Sequence, residues 1–478
     1  MAAIALDLGV VENAADPSLT VGARLGEFFF NELLNSGPVS MSMILKNALL
    51  VDLDPPRVEA AELRLDGGRI AARGAAVAPQ VGDDVINCGG AVVLPGLVNG
   101  HTHLYSALAV GIPPPPRMPR NFHEVLKYIW WRLDQALDAA AIEHSGRIGA
   151  LEALRCGTTT LIDHHASPNC IPGSLDLLQN GIAEVGLRGV LCYEVTDRHG
   201  PDGRKAGIEE NRRYLQACAA RRDGQFAALV GAHASFTLDD EALDQLAALA
   251  FEQRSGVHIH VAEDPCDEAH CREKHQIALI ERFSRHNLLR PESVLAHGTH
   301  LDAAAVERVN AAGCTIAHNP RSNMNNAVGY APIAAFRGPV MVGTDGIGAD
   351  MFTEARAAWL IAQHQHAGLT PTRIVEMLAA SARRASAALG VTVGKLEIGA
   401  AADVLVTDYV PFTPISFNNL PGHLLFGLAA NHVRHVIIDG QWRLRDRAVV
   451  GRNEQDDRAA AAASAIELWE RMAKLPLE

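Results

Sequence analysis

The 478-residue sequence predicts an α/β chain, a (β/α)8 barrel carrying a small β-sandwich built from both chain ends. Three observations lead there. Eight short apolar runs alternate with amphipathic stretches through the middle of the chain. β-rich segments flank that alternation on both sides. Histidines and an aspartate follow several of the apolar runs directly.

The apolar runs lie near 92–100, 157–163, 187–195, 226–232, 255–261, 292–297, 314–318 and 340–344. Their shortness and continuity suit parallel strands covered on both faces. Between them, stretches such as Asp240 to Glu252 and Asp302 to Ala312 repeat apolar residues at helical spacing. Eight such units match the size of a (β/α)8 barrel. A doubly wound open sheet is the alternative, weakened because no G-x-G-x-x-G follows any run. The division expected is 43–95 plus 392–450 as a composite sandwich, 96–391 as the barrel and 451–478 as a C-terminal helix. Residues 1–42 form an extension of open role: an upstream start, a tail, or a docking helix around Phe28, Phe29 and Phe30.

Composition narrows the function. Hydrophobic residues make up 48% and charged residues 20%, as in a chain with a large core, and the net charge of −13 disfavours nucleic acid and anionic membranes. No apolar run reaches the ~20 residues of a membrane helix, and no signal peptide is apparent. The eight cysteines show no C-x-x-C pair, which reads as reduced thiols in the cytoplasm. Cys266 and Cys271 flank His270, but the spacing suits a surface helix start better than a zinc cluster.

In a barrel, chemistry sits at the C-terminal ends of the strands. The first run ends in Gly100-His101-Thr102-His103, whose two imidazoles share one face of a strand and can chelate one ion. The fifth ends in His258-Ile259-His260-Val261-Ala262-Glu263, the sixth in His297-Gly298-Thr299-His300 and the eighth in Gly343-Thr344-Asp345. Alone, a His-x-His is common and consistent with two strand-end histidines bonded to loops. Together the four strand ends point to a metal site.

These motifs resemble the amidohydrolase superfamily. The resemblance rests on Pro95-Gly96-Leu97-Val98-Asn99-Gly100-His101-Thr102-His103, Gly157-Thr158-Thr159-Thr160, His260-Val261-Ala262-Glu263, His297, His318-Asn319-Pro320-Arg321-Ser322-Asn323 and Gly343-Thr344-Asp345. Gly394 to Gly399 with Ala402-Asp403 resembles the return to the family's sandwich. The match spans about 43–450 and is most similar to the triazine-hydrolase and guanine-deaminase branch. Asp163-His164-His165, Cys192-Tyr193-Glu194-Val195 and Asn323-Met324-Asn325-Asn326 are similar to a subgroup of aminohydrolases associated with selenium and purine metabolism.

The resemblance implies one divalent ion per chain, Zn²⁺ with Fe²⁺ as the alternative, held by His101, His103, His260 and Asp345. Two-metal members use a lysine at the end of strand four, where this chain has Gly231-Ala232-His233-Ala234. It further implies Glu263 as proton shuttle, His297 as partner to the attacking water, and Asp345 as both ligand and base. His233, one of the pair His164 and His165, and Asn323 are implied substrate contacts, with His164 taken as the one that faces the pocket. His258 and His300 read as structural. The segment from Pro113 to Arg132 follows strand one and forms a lid or a subunit contact. The activity implied is deamination at a C–N bond of a small purine-, pterin- or pyrimidine-like heterocycle by a homodimer or larger oligomer. A cyclic amidohydrolase or hydrolytic dechlorinase on the same site is the enzymatic alternative. A catalytically dead scaffold is the alternative from another class.

Overall fold

The computed structural model describes residues 42–477, so the reading of the N-terminal extension lies almost wholly outside the described residues. Two parallel sheets form the centre. A four-stranded sheet runs Leu97–Thr102, Thr158–His165, Arg188–Tyr193 and Phe226–Ala228. A five-stranded sheet runs Val230–Ala234, Val257–Val261, Val294–His297, Thr315–His318 and Val340–Val342. Every residue of these strands except Ala228 is buried, which explains the predominance of apolar residues in most of them.

The sheets meet at two seams. At one, Phe226–Ala228 and Val230–Ala234 are a single run broken at Leu229, and Val195 bridges to Ala232. At the other, Thr102 bridges to Asp345, and the amides of Thr344 and Asp345 donate to the carbonyl of His101 at 2.8 and 2.9 Å. Bare backbone makes this second approach possible. A Cβ on Gly100 would lie 2.7 Å from the Val342 carbonyl, and one on Gly343 would lie 2.7 Å from His101 Cβ.

The helices between strands follow from local sequence. Asp239 caps Asp240–Glu252 by accepting from the Ala242 amide, and Ala242, Leu243, Leu246, Leu249 and Ala250 face the sheet at helical spacing. Asp302 caps Ala303–Ala312, which ends at Gly313 in the left-handed conformation (φ 71°). Cys266 and Cys271 lie on a helix, Pro265–His275, capped by Asp264.

The run expected as one strand over 92–100 is two strands in two sheets. Val92–Pro95 joins a nine-stranded sheet made from both chain ends, pairing parallel with Met43–Leu53 and antiparallel with Val404–Thr407. Leu97–Thr102 starts the parallel sheet. The break falls at Gly96, whose amide donates to the Asp403 carbonyl and whose Cα sits against Thr159. The remaining strands of this sheet include Pro56–Asp66, Arg69–Gly74, Val433–Ile438 and Gln441–Arg445, and a final helix covers Glu454–Lys474.

One buried ion network ties the two parts together. Arg188, at the start of the third parallel strand, donates Nε and Nη2 to the Asp403 carboxylate at 2.7 and 2.9 Å, and Nη2 also reaches Asp439 at 3.1 Å. Both Arg188 and Asp403 are essentially inaccessible. Removing one partner strands the other's charge in the interior. Asp403→Ala is therefore expected to destabilise the chain by about 3–5 kcal/mol in urea unfolding. A loss below about 1 kcal/mol would show that the network does not join the parts.

Candidate metal centre

The C-terminal strand ends converge on one buried point. His101, His103, His260 and Asp345 each offer a ligand atom there, all within 4.8 Å of one another. His103 Nδ1 lies 2.6 Å from the His164 carbonyl and His260 Nδ1 lies 2.9 Å from the His233 carbonyl. A carbonyl only accepts, so both Nδ1 atoms carry the hydrogen and donate. Both Nε2 atoms are then bare lone pairs, yet they face each other at 3.1 Å. Two acceptors at that distance repel unless a cation lies between them.

His101 repeats the pattern. Its Nδ1 lies 2.8 Å from His258 Nε2, while its own Nε2 is buried without a hydrogen-bond partner. Asp345 Oδ1 lies 3.0 Å from His103 Nε2 and 3.5 Å from His101 Nε2. Three imidazole nitrogens and a carboxylate oxygen make a donor set that fits Zn²⁺ or Fe²⁺.

Electrostatics agree with a site built around positive charge. Burial lowers His101 to about 3, against the pull of Asp345. Asp345 itself is held well below the usual carboxylate range, its burial outweighed by the imidazoles of His101 and His103 beside it. Glu263 goes the other way: burial and then the nearby Asp345 charge push it well above the usual range.

His297 stands at the rim of this cluster. Its Nδ1 pairs with Asn323 Oδ1 at 2.8 Å, leaving Nε2 as a buried lone pair, 3.5 Å from Glu263 and 3.9 Å from Asp345. The aim is set by backbone: Ala262, His297 and Asp345 all adopt left-handed φ, 46°, 72° and 55°. Such geometry is uncommon for non-glycine residues and costs of order 1–3 kcal/mol each.

A cavity of ≈ 140 Å³ opens beside the cluster, lined by His103, His260, Glu263 and Asp345 among others. A dry cavity of about 150 Å³ holds one benzene-sized guest, so this space suits a small ring. Its roof comes from the segment after strand one. Phe122 and Leu126 pack with Val328, Trp130, Trp131, Phe236 and Cys266.

His233 lines the cavity, and burial lowers it to about 3. His164 does not line it. Both its nitrogens are taken, Nδ1 by Glu194 at 3.1 Å and Nε2 by the carbonyls of Ala232 and His258 at 3.1 Å, so it braces the wall. Its neighbour His165 points to Ser167. Asn323 is likewise buried away from the cavity, fixing His297. Glu194 lines the cavity and was not singled out from sequence, because a lone glutamate after a strand carries no spacing signal.

His258 completes the centre from behind by accepting from His101 Nδ1. Loss of such a supporting partner typically costs 10–100-fold in metal affinity. His258→Ala is expected to lower affinity by about that factor in competition with a chelating dye. Unchanged affinity would mean that His101 needs no such support.

Comparison with known proteins places this geometry. Residues 92–443 match the model of the amidohydrolase family. The chain is 31% identical over 423 residues to a 5-methylthioadenosine/S-adenosylhomocysteine deaminase of Halobacterium salinarum, covering 85% of this chain and 93% of that one. It is 28% identical over 425 residues to a 5′-deoxyadenosine deaminase of Methanothermobacter thermautotrophicus, covering 87% and 96%. An adenosine deaminase structure from Xanthomonas campestris, with bound zinc, superposes with a TM-score of 0.76 at 21% identity over 91% of this chain and 99% of that one. With the match running from the strand before His101 into the strand Gln441–Arg445 of the nine-stranded sheet, the chain belongs to the amidohydrolase family and is a hydrolase of carbon–nitrogen bonds.

Proposed function

We propose that this chain is a metal-dependent aminohydrolase that releases ammonia from an amino-substituted nitrogen heterocycle. The observation that carries the reading is one buried point where the Nε2 lone pairs of His101, His103 and His260 meet the Asp345 carboxylate, with the Glu263 carboxyl, kept neutral by burial, beside it. Titratable pairs pushed apart by their surroundings mark acid and base roles. The deaminase names of the relatives support the same reaction.

One ion, Zn²⁺ or Fe²⁺, bound by His101, His103, His260 and Asp345, supplies Lewis acidity that makes water nucleophilic near neutral pH. The chain's residues do the rest. Glu263, kept protonated, hands its proton to a ring nitrogen, receives the proton that Asp345 takes from the attacking water and passes it to the departing amine, and recovers its own proton from the new hydroxyl as the C=O bond forms. Asp345, kept ionised, takes a proton from the attacking water. His297 Nε2 accepts a hydrogen bond from that water and orients it, with Asn323 fixing its tautomer. The aromatic roof holds bulk solvent away, strengthening each of these interactions.

The two parallel sheets are read as one closed eight-stranded barrel, supported by the hydrogen bonds at both seams. The nine-stranded sheet, 43–95 with 392–450, is read as the sandwich domain, beside a barrel over 96–391. All eight cysteines are free, which supports a reducing, cytoplasmic setting, and the oligomer is read as a homodimer or larger.

Glu263→Gln keeps shape and removes the transferable proton. It is expected to retain the metal while ammonia release falls by about 10²–10⁴. Loss of metal in that variant would make Glu263 a ligand instead. His297→Asn is expected to keep near-full metal occupancy and lose mainly kcat, with KM changing less. A drop in metal content would place His297 in the coordination sphere.

A further inference from the structure

Glu194 and His233 form a wall of the cavity that the reaction above leaves without a role. Glu194 follows the third parallel strand and is 4% exposed. One carboxylate oxygen, Oε2, pairs with His164 Nδ1 at 3.1 Å. The other, Oε1, makes no hydrogen bond among the described residues. The nearest nitrogens are Arg198 Nη2 at 3.7 Å and His233 Nε2 at 3.8 Å.

The tautomer of His233 follows from its neighbours. Thr237 Oγ1 donates its single hydrogen to the Ala234 carbonyl at 3.1 Å, so it accepts from His233 Nδ1–H at 2.7 Å. His233 Nε2 is therefore a lone pair. Two acceptors, a carboxylate oxygen and an imidazole nitrogen, stand side by side at the cavity with no donor between them.

Their distance from the metal cluster matters. A Glu194 carboxylate oxygen lies within 4.8 Å of a ring nitrogen of His103 and of His260. A ring placed with its reacting carbon at the cluster thus meets Glu194 with its own edge, not with a distant substituent. On another side the protonated Glu263 offers a donor.

We propose that Glu194 and His233 select a ring with an N–H donor on its edge, an amino-substituted lactam of the aminopyrimidinone, aminooxopurine or pterin kind. The adenine ring of a nucleoside is disfavoured, because its ring nitrogens are all acceptors and meet two further acceptors here. A site whose buried polar groups lose their partner discriminates strongly against the analogue that lacks it. The charge of the lining points the same way. Glu194, Glu263, Asp264, Asp267 and Asp345 all border the cavity, and no lysine or arginine does among the described residues. Donor-rich neutral rings fit, and phosphate or carboxylate substituents do not. The proposal rests on the deaminase reading for the ring's orientation.

The test uses the metal-loaded Glu263→Gln protein, in which binding is read without turnover. Pterin, 3-methylpterin and adenosine are titrated, the pterins by their own fluorescence and adenosine by displacement. Pterin is expected to bind at least about tenfold more tightly than the other two. Adding Glu194→Gln should shrink that discrimination to about threefold or less, which separates acceptor loss from a steric effect of the methyl group. Adenosine binding as tightly as pterin, discrimination surviving Glu194→Gln, or no binding of any ring would each overturn the proposal. Binding discrimination as expected, with no ammonia released from any ring by the unsubstituted enzyme, would overturn the deaminase reading instead.

Discussion

The structure is organised around nitrogen lone pairs forced to face one another. Each imidazole of the cluster is pinned from behind, His103 and His260 by strand carbonyls and His101 by His258. None can turn away without breaking a buried hydrogen bond. The arrangement is unfavourable for the protein alone and favourable with a cation. The close seam between first and eighth strands, with glycines at positions 100 and 343, exists to bring Asp345 beside His101 and His103.

The same constraint organises the chemistry around it. Charge in the interior is arranged as an opposed pair: a carboxylate at Asp345 among the imidazoles, and a carboxyl at Glu263 held neutral by burial. Left-handed residues at 262, 297 and 345 turn these groups inward at strand ends, where the backbone no longer has to pair. Far from the cavity, Arg188 and Asp403 tie the parallel strands to the nine-stranded sheet, so that the floor under the site is fixed by a buried ion pair.

Much of this was legible in the sequence, for a physical reason. Parallel strands buried on both faces read as apolar runs, and function sits where those runs stop, so His101, His103, His260, His297 and Asp345 stand out. What stayed hidden depends on direction rather than position. Periodicity does not tell that Gly96 breaks the run 92–100 between two sheets, since both halves are equally apolar. Adjacent histidines do not reveal which faces a cavity, and His164 turns out to brace the wall. Glu194 had no spacing to betray it. Its place emerges only when the third and fourth strands bring it beside His233.

The most direct test of the account is anomalous diffraction at the metal edge on protein purified without chelator. One peak per chain is expected, about 2.0–2.1 Å from Nε2 of His101, His103 and His260, the usual Zn–N length. Two peaks at the cavity mouth, or one bonded to His297 or to Glu194, would contradict it.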